Sequence, residues 1–279
     1  MEPRMRLLLF DVDGTLVLTG GAAVRAMNDA FEEVFGVLGA FDHVPMPGRT
    51  DGAILADAFT RVIRQSTTLS SGFMARSCGP TQPPNASHEA GPRDALSATG
   101  VHPVDGEIAR YKAAYFARFA EEIHKPVPVD PSKPVRHRFK GVLPGVREVL
   151  EALDGRPDVF LGLLTGNYEQ GARIKLEYFD LWRYFRCGAY GDDSLDRHAL
   201  VPVAIARSRQ AGCPAVDPRD VVIIGDTPLD VACARDAGVN CLAVATGGFS
   251  ADALRAAGAD TVFESLLDTG AVVRCLTGA

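Results

Sequence analysis

The feature that most restricts this chain is a repeated pattern in which a short apolar run stops abruptly at polar residues. Leu7-Leu8-Leu9-Phe10 runs into Asp11, Val159–Leu164 runs into Thr165-Gly166-Asn167, and Val221-Val222-Ile223-Ile224 runs into Gly225-Asp226. Cys241-Leu242-Ala243-Val244-Ala245 ends at Thr246-Gly247-Gly248, and Thr261-Val262-Phe263 is a weaker fifth run. Runs this short, bounded by turn residues, read as strands buried on both faces. Amphipathic helical patterns lie between them at 144–153, 172–179, 199–211 and 228–237. The last places Pro228 in its first turn and Gly238 just past its end, as helix termini favour. Strands alternating with helices pair in parallel through right-handed crossovers, which predicts an α/β fold: a Rossmann-like parallel sheet flanked by helices. Ligands bind such sheets beyond the carboxyl ends of the strands, where these polar residues fall.

Residues 18–140 break the rhythm. They carry helical patterns at 22–35, 51–64 and 107–123 with little strand signal. The expected organisation is a core of 1–17 and 141–279 interrupted by an inserted α-helical domain at 18–140. Within the insertion, 66–104 is rich in Ser, Thr, Pro, Gly and Ala and lacks a period, which reads as a flexible insertion. The Pro-rich, basic stretch 125–140 reads as a stiff linker back to the core.

Composition excludes several classes. A chain of 279 residues, 47% hydrophobic, can bury one good-sized core with a smaller companion. A net charge of −6 argues against a nucleic-acid partner, which calls for a concentrated basic face. No apolar run approaches the roughly 18 residues of a membrane span, and Leu7 to Phe10 is too short for a secretion signal. The expectation is a cytoplasmic protein, monomeric or homodimeric. The six cysteines are scattered with no C-x-x-C pair, and the six histidines lack metal-ligand spacing. Asn85-Ala86-Ser87 matches a glycosylation sequon by chance.

The strand ends carry the chemistry. Asp11 can project a carboxylate nucleophile into the crevice, dividing one hard displacement into two easier ones. Asp13, two residues on around Gly14, can reach the same space as general acid and base. With Asp226 on a neighbouring strand end, these carboxylates form a hard-oxygen site suited to Mg²⁺. Thr165 offers a hydroxyl, and Gly166-Asn167 offer backbone N–H groups at a helix start, all suited to phosphate oxygens. A cation is needed to balance the nucleophile, and Arg197 and Lys175 are the candidates.

Together these elements resemble the haloacid dehalogenase superfamily of hydrolases. Asp11-Val12-Asp13-Gly14-Thr15-Leu16 matches its first motif, Thr165 its second, and Gly225-Asp226-Thr227-Pro228-Leu229-Asp230 its fourth. The resemblance covers 6–17 and 141–268, and implies Asp11 as nucleophile and Asp13 as acid/base. It also implies that Asp11, the Asp13 backbone carbonyl and Asp226 hold Mg²⁺, supported by Asp230. The third motif departs: where many relatives have Lys-Pro-x-Pro, this chain reads Asp196-Arg197-His198-Ala199. Arg197 is the first choice for that cation and Lys175 the second. The insertion falls where the family carries its helical C1 cap, and Pro47-Gly48-Arg49-Thr50-Asp51 resembles a segment of phosphoglycolate-phosphatase-like members that brings Arg49 to the substrate. The implied activity is a phosphatase acting on a small phosphorylated metabolite through an aspartyl-phosphate. A phosphomutase of the β-phosphoglucomutase type uses the same core and is the alternative. A dehalogenase lacks the second aspartate, and a phosphonatase needs a cap lysine that has no candidate here.

Each residue also has a plainer reading. The aspartates at 11 and 13 suit a turn, Asp226 and Asp230 suit helix capping, and Thr50-Asp51 suits a helix start. Arg197 suits a surface ion pair. A catalytically silent binding protein on the same scaffold is the reading from a different class.

Overall fold

The computed structural model describes residues 4–74, 105–130 and 135–278. In chain order the first elements are β1 (Arg6–Phe10), β2 (Val17–Thr19), α1 (Ala22–Phe35), α2 (Asp51–Met74), α3 (Asp105–Glu122), α4 (Val135–Arg138) and β3 (Lys140–Val142). Then follow α5 (Val146–Leu153), β4 (Val159–Leu164), α6 (Glu169–Tyr178), β5 (Gly188–Ala189), α7 (Leu200–Gln210) and β6 (Val221–Gly225). The chain closes with α8 (Pro228–Ala237), β7 (Asn240–Val244), α9 (Ala251–Ala256), β8 (Thr261–Phe263) and α10 (Thr269–Thr277).

Six strands form one sheet in the order β5-β4-β1-β6-β7-β8, every pair parallel. The strand alternation of β1 divides its side chains between two cores. Leu8 and Phe10 enter a cluster with Val149 and Leu150 of α5, Leu176 of α6 and Val272 of α10. Leu7 and Leu9 enter a second with Leu200 and Ala204 of α7, Val231 of α8 and Leu254 of α9. The sheet is therefore covered on both faces, which explains why its strands read as continuous apolar runs. β1 lies in the middle, paired with β4 on one side and β6 on the other. That placement brings the ends of three predicted strands to adjacent positions.

The chain leaves and re-enters the core through a small antiparallel ribbon, in which Val17 faces Val142 and Thr19 faces Lys140. Between those strands α1, α2 and α3 form a helical layer with a core of its own. Phe31 is fully buried there, with ring contacts to Phe35, Phe41, Phe59 and Tyr111 at centroid distances of 4.7, 5.6, 5.0 and 6.1 Å. α1 ends at Gly36, whose φ of 70° is left-handed and whose N–H donates to the Glu32 carbonyl.

Two differences from the sequence reading stand out. β2, β3 and β5 are two or three residues long, too short for a period to register. The helix expected at 51–64 runs on to Met74, so the first residues of the expected flexible insertion at 66–104 continue α2. The rest of that insertion, with its sequon, lies outside the described residues, as do 131–134 of the expected linker. No described helix is long and apolar enough to cross a membrane.

Phe31→Ala is expected to destabilise the helical layer by about 3–5 kcal/mol, because it removes the ring that joins four aromatic neighbours and leaves a cavity. Urea unfolding checks this, and a loss under about 1 kcal/mol would contradict the packing described.

Candidate functional site

The site grows from the end of β1. The Asp11 N–H donates to the Ile224 carbonyl at 2.8 Å, extending the β1–β6 ladder by one residue. The turn beyond is closed by Leu16 and Val17 N–H groups donating to the Val12 carbonyl. Gly14 has φ +84°, and a Cβ there would lie 2.4 Å from Asp226 Oδ2. A Cβ on Gly247, after β7, would lie 1.6 Å from the same oxygen. Glycines from two turns thus make room for one carboxylate, while the Thr15 hydroxyl donates to its other oxygen at 3.4 Å.

Arg197 ties this cluster together. It is 4% exposed, and its Nη2 lies 3.1 Å from Asp11 Oδ1 and 2.6 Å from Asp230 Oδ1, and also donates to the Leu164 carbonyl at 3.3 Å. Its Nε is buried without a hydrogen-bond partner. The other Asp230 oxygen accepts from Thr227 N–H and Oγ1 at 3.0 and 2.8 Å, completing a capping box at the start of α8. Both Asp230 oxygens are occupied, so this residue positions Arg197 and α8. Burial pulls the Arg197 guanidinium down, but Asp11 and Asp230 outweigh it and its pKa stays above the ordinary value.

A second group surrounds Asp13. Its Oδ2 accepts from Lys175 Nζ of α6 at 2.5 Å and from Asn167 Nδ2 at 2.8 Å. Lys175 Nζ also reaches Asn167 Oδ1 at 2.5 Å. The Asp13 side chain is 41% exposed and Lys175 only 4%, so the lysine holds the carboxylate from below and leaves it open to the crevice. Of the two candidate cations, Arg197 therefore meets Asp11 and Lys175 meets Asp13. Thr165 is fully buried, and its Oγ1 accepts from Asn167 N–H at 3.3 Å. This departs from the expectation that both backbone N–H groups of Gly166-Asn167 face the ligand: Asn167 contributes its side chain instead, because α6 begins only at Glu169.

Among the described residues, Asp11, Asp226 and Asp230 offer carboxylate oxygens within 4.8 Å of one another. Burial, then its acidic neighbours Asp11 and Asp230, raise the Asp226 pKa well above the ordinary value. The Asp11 carboxyl is pushed up to about 6, chiefly by burial and against the pull of Arg197. Crowded carboxylates carrying this penalty, in a cradle cleared by two glycines, are chemically suited to a hard cation with oxygen ligands.

Comparison with known proteins bears on this arrangement. A family model described as HAD-hydrolase-like matches residues 197–269. The phosphoglycolate phosphatase of Pseudomonas savastanoi pv. phaseolicola is 34% identical over 113 residues, covering 40% of each chain. The chain therefore spans about 40% of the length of the curated relatives it matches. Over the whole fold, it superposes on a predicted phosphoglycolate phosphatase from Haemophilus somnus with a TM-score of 0.58 and 15% identity, covering 98% of this chain and 99% of that one. CbbY from Rhodobacter sphaeroides, solved in complex with phosphate, gives 0.57 and 19% over 95% and 96%. The chain is similar to haloacid dehalogenase-like hydrolases over residues 197–269. The curated relatives that it matches over this share are phosphoglycolate phosphatases.

The fold brings Asp11, Asp13, Asn167, Arg197 and Asp226 to one crevice between the sheet and the helical layer, while Thr165 and Asp230 are fully buried. Arg49 lines the same cavity but is ion-paired with Asp57 at 2.7 Å and makes no described hydrogen bond to the aspartates. Gly166 serves as a contact point: its carbonyl accepts from Asp51 N–H at 2.7 Å, and a Cβ there would lie 2.1 Å from the Arg49 carbonyl. The sequence reading passed over Asp51. Its Oδ2 accepts from Tyr168 N–H at 2.8 Å, at the start of α6, so the first residue of α2 fastens the helical layer to the core. Thr50 adds a bond to the Leu195 carbonyl at 2.8 Å. In the sequence Asp51 stood in the Pro47–Asp51 segment, where attention fell on Arg49, and after Thr50 at a helix start, which pointed to local capping.

Burial, opposed by nearby Lys175, raises the Asp51 pKa from the ordinary 3.8 to about 7. The folded state then holds a proton that the unfolded chain has released, so this group's contribution is complete below about 3.8 and is lost as pH rises through about 7. Asp51→Asn mimics the protonated acid. Its melting temperature is expected to exceed that of the wild type at about pH 8, with the gap shrinking toward pH 5; a gap that is constant across this range would contradict the assignment.

Proposed function

We propose that this haloacid dehalogenase-like chain is a phosphatase that hydrolyses the phosphomonoester of a small metabolite through an aspartyl-phosphate on Asp11, with Mg²⁺ as its metal. The observation that carries the reading is the division between the two aspartates of the first turn. Asp11 is buried beside Arg197, whereas Asp13 is held by Lys175 and Asn167 and faces the crevice. Two carboxylates in such different surroundings suit different roles.

In the first step an Asp11 oxygen attacks phosphorus while the bond to the leaving oxygen breaks, and Asp13 donates its proton to that oxygen. In the second, Asp13 takes a proton from water, the water oxygen attacks phosphorus, and the Asp11–phosphate bond breaks to release phosphate and restore both carboxyl groups. Arg197 keeps Asp11 aimed along this line and balances its charge. Lys175 and Asn167 fix the Asp13 rotamer, and Thr165 shapes the turn that carries Asn167. Asp11, the Asp13 backbone carbonyl and Asp226 would hold Mg²⁺, which when bound offsets repulsion between nucleophile and phosphate. The helical layer acts as the cap that excludes water and contacts the leaving group, with residues 18–140 as its bounds. The reading draws support from the similarity to phosphoglycolate phosphatases and from the match to a phosphate-bound neighbour.

Phosphate release from a panel of phosphomonoesters is expected to need Mg²⁺, to stop with EDTA, and to fall on the order of a thousandfold or more in Asp11→Asn. Turnover untouched by that substitution would sink the aspartyl-phosphate mechanism.

A further inference from the structure

The cavity over the aspartates has a volume of about 360 Å³. At roughly 30 Å³ for each water in the liquid, this is room for about a dozen waters. A phosphoryl group with a two-carbon acid would leave much of it unfilled. The far wall belongs to the helical layer and its approach, with Leu18, Val24, Met27, Phe41, Val44 and Ile54 contributing apolar side chains. Water left against such a wall is unfavourable, so the shape asks for an apolar occupant.

The charges that line the cavity point the same way. Among the described lining residues, the cationic side chains other than His137 are Arg49, Lys175 and Arg197. Arg197 is shared between Asp11 and Asp230, and Lys175 is bound to Asp13 and Asn167. Arg49 pairs with Asp57, and its two terminal nitrogens also donate to the Pro45 and Ala53 carbonyls at 3.0 and 3.4 Å. Asp42 also lines the cavity and adds a negative charge. A second anionic group on the substrate, beyond the phosphate, would enter a pocket whose arginines and lysine already have carboxylate partners. Desolvating a carboxylate there without a counter-ion is costly.

We propose that this pocket takes the phosphomonoester of an uncharged, largely apolar alcohol, and that it discriminates against a short acid phosphate such as phosphoglycolate. The phosphate sits at the aspartate end and the organic group lies against the helical wall. The inference rests on the phosphomonoester reading above, and it departs from what the names of the related proteins would suggest. The Arg49–Asp57 pair is its specificity device: bound to Asp57, Arg49 is withheld from a substrate carboxylate.

The test measures kcat/KM of the full chain with Mg²⁺ for ethyl phosphate, butyl phosphate and 2-phosphoglycolate, in the wild type and in Asp57→Asn. Each added methylene is expected to raise kcat/KM by roughly threefold, and 2-phosphoglycolate is expected to be at least about tenfold poorer than ethyl phosphate. Asp57→Asn is expected to improve 2-phosphoglycolate about tenfold while leaving ethyl phosphate within about twofold, which also reports an intact fold. A wild type that prefers 2-phosphoglycolate to butyl phosphate overturns the proposal. If no phosphomonoester turns over, the phosphatase reading fails, and calorimetric titration with butylphosphonate and phosphonoacetate decides the pocket separately. Tighter butylphosphonate binding supports the proposal; tighter phosphonoacetate binding, or binding of neither, overturns it.

Discussion

One guanidinium holds the candidate site together. Arg197 sits between Asp11, which ends β1, and Asp230, in the first turn of the helix that follows β6. That charge sits among three buried carboxylates beyond the ends of two adjacent strands, where burial raises the pKa of Asp11 and Asp226 and the guanidinium opposes it. With that cation in place, Asp11 is anchored, Asp230 locks the start of α8 through Thr227, and Asp226 stays in the cradle left by Gly14 and Gly247. The register of β1 against β6 underlies all of this, because the Asp11 N–H bond to the Ile224 carbonyl sets how far the Asp11 carboxylate projects.

The second half of the site depends on a different part of the fold. Lys175 on α6 reaches Asp13 from beneath, and the segment that leads into α6 carries Thr165, Gly166 and Asn167 past it. The same helix start receives Asp51 from the helical layer. The partners of the Asp13 carboxylate and the attachment of the helical layer thus share one short stretch of core. This coupling follows from where the chain interrupts itself: the β2–β3 ribbon sends the layer out directly after the first turn and returns it next to the same strand ends.

How much of this was legible depends on the range of the constraint. Asp11, Asp13, Asp226 and Asp230 stood out because each sits at a fixed offset from a strand that announces itself by an apolar run. Helices α1, α5, α7 and α8 were readable for a similar reason, since their stripes are long enough to count. β2, β3 and β5 were not, because two or three residues carry no period and are held by their neighbours. Asp51 looked like an ordinary first-turn acid, and its bond to Tyr168 joins residues 117 positions apart. Arg49 was expected to turn toward substrate, and its pairing with Asp57, two turns along α2, could not be told from spacing alone.

By itself, the sequence determined the α/β class, the polar residues at the strand ends and the presence of two aspartates within one turn. These follow from local periodicity and turn chemistry, which act over a few residues. Only the tertiary structure decided which cation meets which aspartate, giving Arg197 to Asp11 and Lys175 to Asp13. It also decided that Asp230 binds Arg197 and caps α8, and that Leu18, Val24, Met27, Phe41, Val44 and Ile54 line part of the pocket. Those outcomes depend on strand order and on how the helical layer docks, and electrostatic partners are chosen by distance in space, which no offset along the chain encodes.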